Sequence, residues 1–377
     1  MSVVLYIVAI IGSLINLSSE RDRKWLNWVV LSAMLIIAAN VIDGYDTKNL
    51  WEMFAQRASG NKAQFEGSFF LTSAPYMAMM DLAAILGVSN FSYFKVLTLL
   101  MFTPFALLTF RKFGTRTSFV LLLYLLFSFW IDITQHRTML AMFIFVFATQ
   151  FLLIQRRVDI LIYTLLIAVS AAIHISFAFY FIFLILFIKN EKLRDRVVNV
   201  LFIFGSLMYL YLFAGGSFSP LIVLAQKFNL EKLSAYLQVR TRFGSLYPLV
   251  LYAMLIAVAH YCSVNLTRAY ATNVESSNDK RAISRLVLQM HQLLVLTMPL
   301  CVLTLSAMRL VRNVFPVLLI SVWMHTEDFQ VSRKRKLVAI TVLIVAASFF
   351  LYCENVFLNQ TDDILLPVLQ GNFSWIK

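Results

Sequence analysis

The sequence predicts an all-α fold: a polytopic integral membrane helix bundle of about twelve transmembrane helices. Three observations predict it. Of 377 residues, 60% are apolar or aromatic and only 14% are charged, more apolar surface than a soluble domain of this length can hide. The apolar residues fall in runs of bilayer-crossing or nearly bilayer-crossing length. Finally, 20 of the 32 Lys and Arg residues lie in alternate short loops between those runs. That alternation is the signature of a cytoplasmic face, so it explains the net charge of +13 without nucleic acid as a partner.

The spans read as 2–17, 25–42, 92–110, 117–134, 137–154, 159–173, 175–188, 197–215, 248–267, 286–305, 308–324 and 337–353. No basic region precedes Val3–Leu17, while Arg21, Arg23 and Lys24 follow it. This is the pattern of a first transmembrane helix rather than a cleavable signal. The basic loops at 21–24, 111–116, 156–157, 189–196, 268–285 and 333–336 then lie inside, and both termini lie outside. The chain 1–377 is expected to form a single transmembrane domain. No repeat relates its halves, unlike an inverted-repeat transporter.

Two outer-face loops are long, 43–91 and 216–247. In the first, Leu50, Trp51, Phe54, Ala55 and Ala58 fall on one face of a helix, opposite Lys48, Asn49, Glu52, Gln56 and Arg57. The pattern predicts an amphipathic helix in the headgroup plane, with Asp46 as N-cap. The segment 68–87 carries Thr72, Ser73, Pro75 and Asp81 within apolar sequence. It reads as an interfacial or re-entrant helix, because a full crossing there would send every later basic loop outside. In the second loop, Leu230, Leu233, Leu237 and Val239 suggest another surface helix leading to Arg240 and Arg242.

Basic residues left on the outer face are informative because the charge rule makes them scarce there. They include Arg137, Arg240, Arg242, Arg309 and Arg312. Arg137 and His174 stand at the ends of two successive apolar runs joined by a basic turn, so both belong to one face. Arg309 and Arg312 are three apart and share a helix face, with Arg312 about a turn deeper. Arginine binds phosphate well because its planar fork reaches two oxygens at once. The alternative is structural: Arg137 snorkels to headgroups, His174 is a satisfied helix-end residue, and the other arginines pair with Asp43, Glu66, Asp132 or Glu354. Asp46, Glu66 or His174 beside a hydroxyl can serve as general base. There is no Gly-rich phosphate loop, no nucleophile elbow and no HExxH pattern. Cys262, Cys301 and Cys353 show no paired spacing, so neither a disulfide framework nor a metal site is implied.

These residues resemble a family pattern. Arg137, Leu140 and Ala141, the basic turn at Arg156 and Arg157, then Ala171, His174 and Ser176, are similar to the core of the EpsG family of Wzy-type polysaccharide polymerases. Tyr45 and Asp46 followed by Glu66 and Gly67 are similar to its first outer loop, although the proline often found near that Glu-Gly is displaced here to Pro75. Met308, Arg309 and Arg312 lie where the family carries arginine near a late outer helix end. The resemblance implies a GT-C-like bundle in the bacterial plasma membrane with its active site facing outward. It implies a glycosyltransferase that polymerises undecaprenyl-diphosphate-linked oligosaccharide repeat units into surface polysaccharide, with lipid-linked glycan as both donor and acceptor. His174, Arg137, Glu66 and Asp46 are the catalytic candidates; Arg309, Arg312, Arg240 and Arg242 are the diphosphate-binding ones. No cofactor or metal is implied; membrane lipid and a chain-length regulator protein are the further partners. Rival readings are a lipid-linked oligosaccharide flippase or other transporter, an O-antigen ligase and a membrane acyltransferase. A flippase would gather its polar residues near mid-membrane rather than at one face.

The orientation can be tested directly. In a background lacking the native cysteines, single cysteines placed at Ser59 and Asn229 should react with an impermeant thiol reagent on intact cells or spheroplasts. One at Ser277 should react only after permeabilisation; labelling from outside would overturn the assignment.

Overall fold

The structure is a computed structural model that describes residues 2–41, 46–60, 68–154, 156–217, 242–269 and 278–357. Among these residues every regular element is helical. Among the described residues six helices are long and apolar enough to cross a membrane by length and composition: Phe91–Lys112, Glu191–Phe213, Phe243–Ala269, Asp279–Leu303, Leu305–Glu327 and Arg333–Asn355. Shorter apolar helices accompany them, including Ser2–Ser18, Lys24–Asn40 and Thr117–Phe127. The chain divides into two compact units, Met1–Phe181 with Ala347–Lys377, and Ile182–Ala346.

In the first unit, α1 (Ser2–Ser18) and α2 (Lys24–Asn40) form a hairpin. Its turn is built on Asn16, whose amide donates to Asn27 Oδ1 (2.8 Å) and accepts from the Arg23 backbone (2.6 Å). The same turn caps α6 (Thr117–Phe127): Asp22 accepts from Thr117 N at 2.8 Å and Ser118 Oγ at 2.6 Å. Arg116 in turn donates to the carbonyls of Asn16 and Ser19. Thus the loops assigned to the cytoplasm by charge bias are also where backbone groups freed at helix ends find partners.

The run 117–134, read as one span, is not one helix. It stops at Ser128, makes the short α7 (Phe129–Asp132), and turns into α8 (His136–Ile154). Buried Asp132 accepts from Tyr124 Oη (2.9 Å), while Trp130 Nε1 donates to Tyr6 Oη (2.8 Å). Both bonds fold the broken segment back on its neighbours. α8 packs along α9 (Arg157–Ile173), whose start is fixed by Asp159 accepting from Arg156 N at 2.8 Å.

The helix expected in the first outer loop is present as α3 (Thr47–Ala58), but its packed face is rotated. Thr47, Leu50, Met53 and Phe54 are buried, whereas Trp51 is 43% exposed. The cause is packing on two sides. Phe54 stacks on Phe94 of α5 (Phe91–Lys112), and Arg57 pairs with Asp81 of α4 (Ser68–Ile85) at 2.5 Å. Arg57 therefore belongs to the packed face, not to the polar one. Asp46 stands at the N-cap position but makes no capping hydrogen bond.

The segment after α9 also departs from expectation. Ile175–Phe187 is a 3₁₀ helix of 13 residues, not an α-helix. Such runs rarely exceed three or four residues. The sequence explains this one, because in a three-residue repeat side chains at i and i+3 eclipse. Phe177, Tyr180, Phe183 and Leu186 stand at that spacing and each is 0% exposed. His174 heads the same series. The elongated form also has reach: at about 2.0 Å per residue these 13 residues extend about 26 Å, against about 20 Å as an α-helix.

In the second unit, α10 (Glu191–Phe213) is N-capped by Asn190, whose side chain accepts from Leu193 N. Gly205 lets α10 approach the turn at Leu294–Thr297: a Cβ there would lie 2.8 Å from Val295 Cγ1. α11 (Leu246–Ala269) packs on α12 (Asn278–Leu293), where Tyr252 Oη donates to the His291 carbonyl (3.0 Å). Arg285 of α12 bridges Glu191 (2.8 Å) and Asp195 of α10, and Gln289 donates to Asp195 (2.7 Å). The run 286–305 becomes α12, a 3₁₀ turn and α13 (Met298–Leu303), ending where Thr304 is extended. The chain restarts as α14 (Met308–Arg312) and α15 (Phe315–Glu327), followed by α16 (Arg333–Tyr352).

The three-residue repeat makes a prediction that an α-helix would not. Phe183→Ala should destabilise the detergent-solubilised protein by about 3 kcal/mol, the usual scale for emptying a buried aromatic site. Phe181→Ala, off the stripe, should cost far less. Thermal unfolding of the two variants checks it; an α-helical segment would group Phe181, not Phe183, with Phe177.

Candidate functional site

The site begins with residues 133–137, the turn into α8 and its first two residues. Two helices grip this short stretch, each with residues three apart and therefore on one face. On α4, Ser73 and Tyr76 face it: Arg137 Nη1 donates to Ser73 Oγ at 2.7 Å, and Tyr76 Oη lies 2.8 Å from His136 Nδ1. On α5, Lys95 and Thr98 do the same. Lys95 Nζ donates to the Ile133 carbonyl at 3.3 Å and to the Val41 carbonyl, at the end of α2, at 2.8 Å. Thr98 Oγ1 lies 3.1 Å from His136 Nε2. A further bond, Thr47 Oγ1 to the Thr134 carbonyl at 2.8 Å, ties the start of α3 to the same turn.

Lys95, Tyr76 and His136 are each 0% exposed. Arg137, next along the chain from His136, is only half-buried. Asp46, also half-buried, and Tyr76 both interact electrostatically with Arg137. Asp46 thus stands at the predicted N-cap position without a capping bond, near enough to Arg137 for the two charges to interact. A cation with part of its surface accessible, a carboxylate beside it and hydroxyls nearby can bind an anion and accept a proton from a hydroxyl.

His174 terminates α9, with an extended backbone, and its Nδ1 lies 2.7 Å from Ser176 Oγ. Because α8 and α9 form a tight packed hairpin, the start of one and the finish of the other share one end. α4 also packs on α9. Arg137, Asp46 and His174 thus belong to one unit and to neighbouring elements. The contact with Ser176 Oγ helps to orient the His174 ring.

In the second unit, Arg309 and Arg312 lie on α14 directly after the break at Thr304. Arg309 Nε donates to the Ser306 carbonyl at 2.9 Å and is half-buried; Arg312 is 4% exposed. Arg242 opens a short 3₁₀ turn, Arg242–Ser245. Its side chain, and Glu66, Arg240, Asp43 and Tyr45 altogether, lie outside the described residues. Among the described residues no group of three or more His, Cys, Asp or Glu side chains is placed to hold a metal ion.

Sequence reasoning missed Lys95, Tyr76 and Thr98, and treated Ser73 only as a mark against a membrane span. Lys95 had a signal: it is a lone cation inside the run 92–110, and an ionisable residue within a span is a functional candidate by default. Tyr76 and Thr98 carry no such mark in an aromatic-rich sequence.

No curated protein and no solved structure matches the chain. A protein-family model does, over residues 23–365, and its description is the EpsG family. Residues 23–365 include the α4, α5 and α8 clamp, the α8–α9 hairpin and α14. With a match that covers nearly all of a chain built of apolar helices, the protein is an integral membrane protein that belongs to the EpsG family, the family of Wzy-type polysaccharide polymerases.

Proposed function

We propose that the protein joins oligosaccharide repeat units carried on undecaprenyl diphosphate, at the outer face of the bacterial plasma membrane. The topology proposed with it has about twelve crossings and both termini outside. The observation that carries the reading is Arg137: a half-buried guanidinium bonded to Ser73 in the first turn of an apolar helix, with the negative charge of Asp46 acting on it. A cation kept there in otherwise apolar sequence is suited to an anion at headgroup depth. A lipid diphosphate puts its charge at that depth, its tail in the bilayer and its sugar in water.

In the reaction the anomeric C–O bond to the donor diphosphate breaks and a glycosidic bond to the acceptor hydroxyl forms. Arg137 binds the diphosphate and stabilises it as the leaving group; Arg309, Arg312, Arg240 and Arg242, in the second unit, are further candidates for binding lipid-linked diphosphate. Asp46, Glu66 or His174 takes the proton that the acceptor hydroxyl releases. Donor and acceptor are both lipid-linked glycans, and a chain-length regulator protein is the expected partner.

Arg137→Ala, His174→Ala and Arg312→Ala should each abolish long polymer while the protein remains inserted and abundant. Loss of one diphosphate contact removes about 2–4 kcal/mol of transition-state stabilisation, or roughly a 30- to 1000-fold fall in rate. Arg137→Lys should rescue only partly, since ammonium lacks the two-pronged geometry. Arg156→Ala and Arg157→Ala, at the opposite end of the hairpin, should leave polymer intact. Surface-glycan gels at matched expression check this. Normal chain length in both Arg137→Ala and His174→Ala contradicts the proposal, and loss of all surface glycan, single-repeat product included, points to a flippase or a ligase.

A further inference from the structure

Behind Arg137 lies a polar cluster that the proposed chemistry does not use. His136 is fully enclosed, with Phe91 and Phe94 at 6.2 and 5.9 Å between ring centroids. Its two ring nitrogens have different neighbours: Tyr76 Oη lies 2.8 Å from Nδ1 and Thr98 Oγ1 lies 3.1 Å from Nε2. Thr98 Oγ1 also lies 2.8 Å from the Phe94 carbonyl and 3.0 Å from the Lys95 carbonyl of its own helix. In one tautomer Nε2 donates to Thr98 and Nδ1 accepts from Tyr76; in the other, both bonds run the opposite way. In either case the relay joins α4, through His136, to α5.

Every link in this relay is buried, where an unmade hydrogen bond is costly, so the relay fixes α4 and α5 against the first turn of α8. Ser73, the residue bonded to Arg137, is three residues before Tyr76 on the same face of α4. Whatever holds Tyr76 in register therefore also holds Ser73 under Arg137. Lys95 fixes the floor of the turn independently, through the Ile133 and Val41 carbonyls.

We propose that Tyr76, His136 and Thr98 are positioning residues for Arg137: they set the guanidinium in the orientation that meets the substrate anion, without touching substrate themselves. This rests on the proposed role of Arg137 in polymerisation. A relay that merely stabilised the fold would weaken every function of the protein alike. A relay that acts through Arg137 loses its effect when Arg137 no longer presents a fork.

A double-mutant cycle separates the two. Purified protein in lipid nanodiscs is assayed with lipid-linked oligosaccharide extracted from a strain deleted for this gene. Tyr76→Phe removes one oxygen and leaves the ring in place. It should lower kcat about 10-fold, with KM near that of the parent and a melting temperature lowered by the lost buried hydrogen bond. Thr98→Val should act in the same direction. In an Arg137→Lys background, itself only partly active, Tyr76→Phe should produce less than a 2-fold further loss. His136→Asn, which keeps a polar atom near the Nδ1 position, should retain more activity than His136→Leu. Losses that multiply in the double variant would overturn the inference, as would Tyr76→Phe activity equal to the parent while Arg137→Lys is impaired. Full activity in Arg137→Lys would overturn the proposed role of Arg137, and this inference with it.

Discussion

The first unit depends on one constraint: the chain breaks at Ser128 and re-enters a helix at His136, so the backbone of the intervening turn needs partners inside an apolar bundle. In lipid an unsatisfied carbonyl has no water to turn to. Lys95 answers this for Ile133 and Val41, Thr47 answers it for Thr134, and Thr134 Oγ1 reaches back to the Ile131 carbonyl. These bonds draw the ends of α2 and α7 and the start of α3 onto α5. The same gathering brings α4 alongside, and with it the Ser73 that holds Arg137. The candidate site is thus a consequence of how the turn is satisfied. The buried groups are held by these bonds, and Arg137 and Asp46 beside them are half-buried.

Much of this was legible in the sequence where the physics is local. Apolar run lengths located most helices, and Arg156 and Arg157 marked the hairpin turn. What was not legible depends on partners distant in sequence. Nothing in 117–134 announces a break, because Ser128 is unremarkable until Asp132 is seen bonded to Tyr124. The packed face of α3 could not be chosen between two plausible stripes without Phe94 and Asp81 to receive Phe54 and Arg57. The 3₁₀ segment is a different case. Its period of three was written in Phe177, Tyr180, Phe183 and Leu186, but the assumption that membrane helices repeat every 3.6 residues hid it.

Within the candidate site, Arg137 and His174 were identifiable because a cation and an imidazole at the ends of successive apolar runs are conspicuous. Asp46 was identifiable as an acid at a helix start, although its side chain makes no capping bond to that helix. The hydroxyl and amine groups that support them were not, since Ser, Thr and Tyr are ordinary in such sequences. Family membership supplies the polymerase class, and the local geometry supplies a reason why Arg137 in particular suits a lipid diphosphate.

The most direct measurement is product formation by the purified protein alone. Reconstituted in nanodiscs, where no second compartment exists to transport into, it is given lipid-linked repeat units as the only glycan. The account predicts a ladder of products spaced by one repeat unit, each still lipid-linked, with free undecaprenyl diphosphate released for every step. Unchanged single repeats, at substrate concentrations and lipid compositions that keep the protein folded, would contradict it.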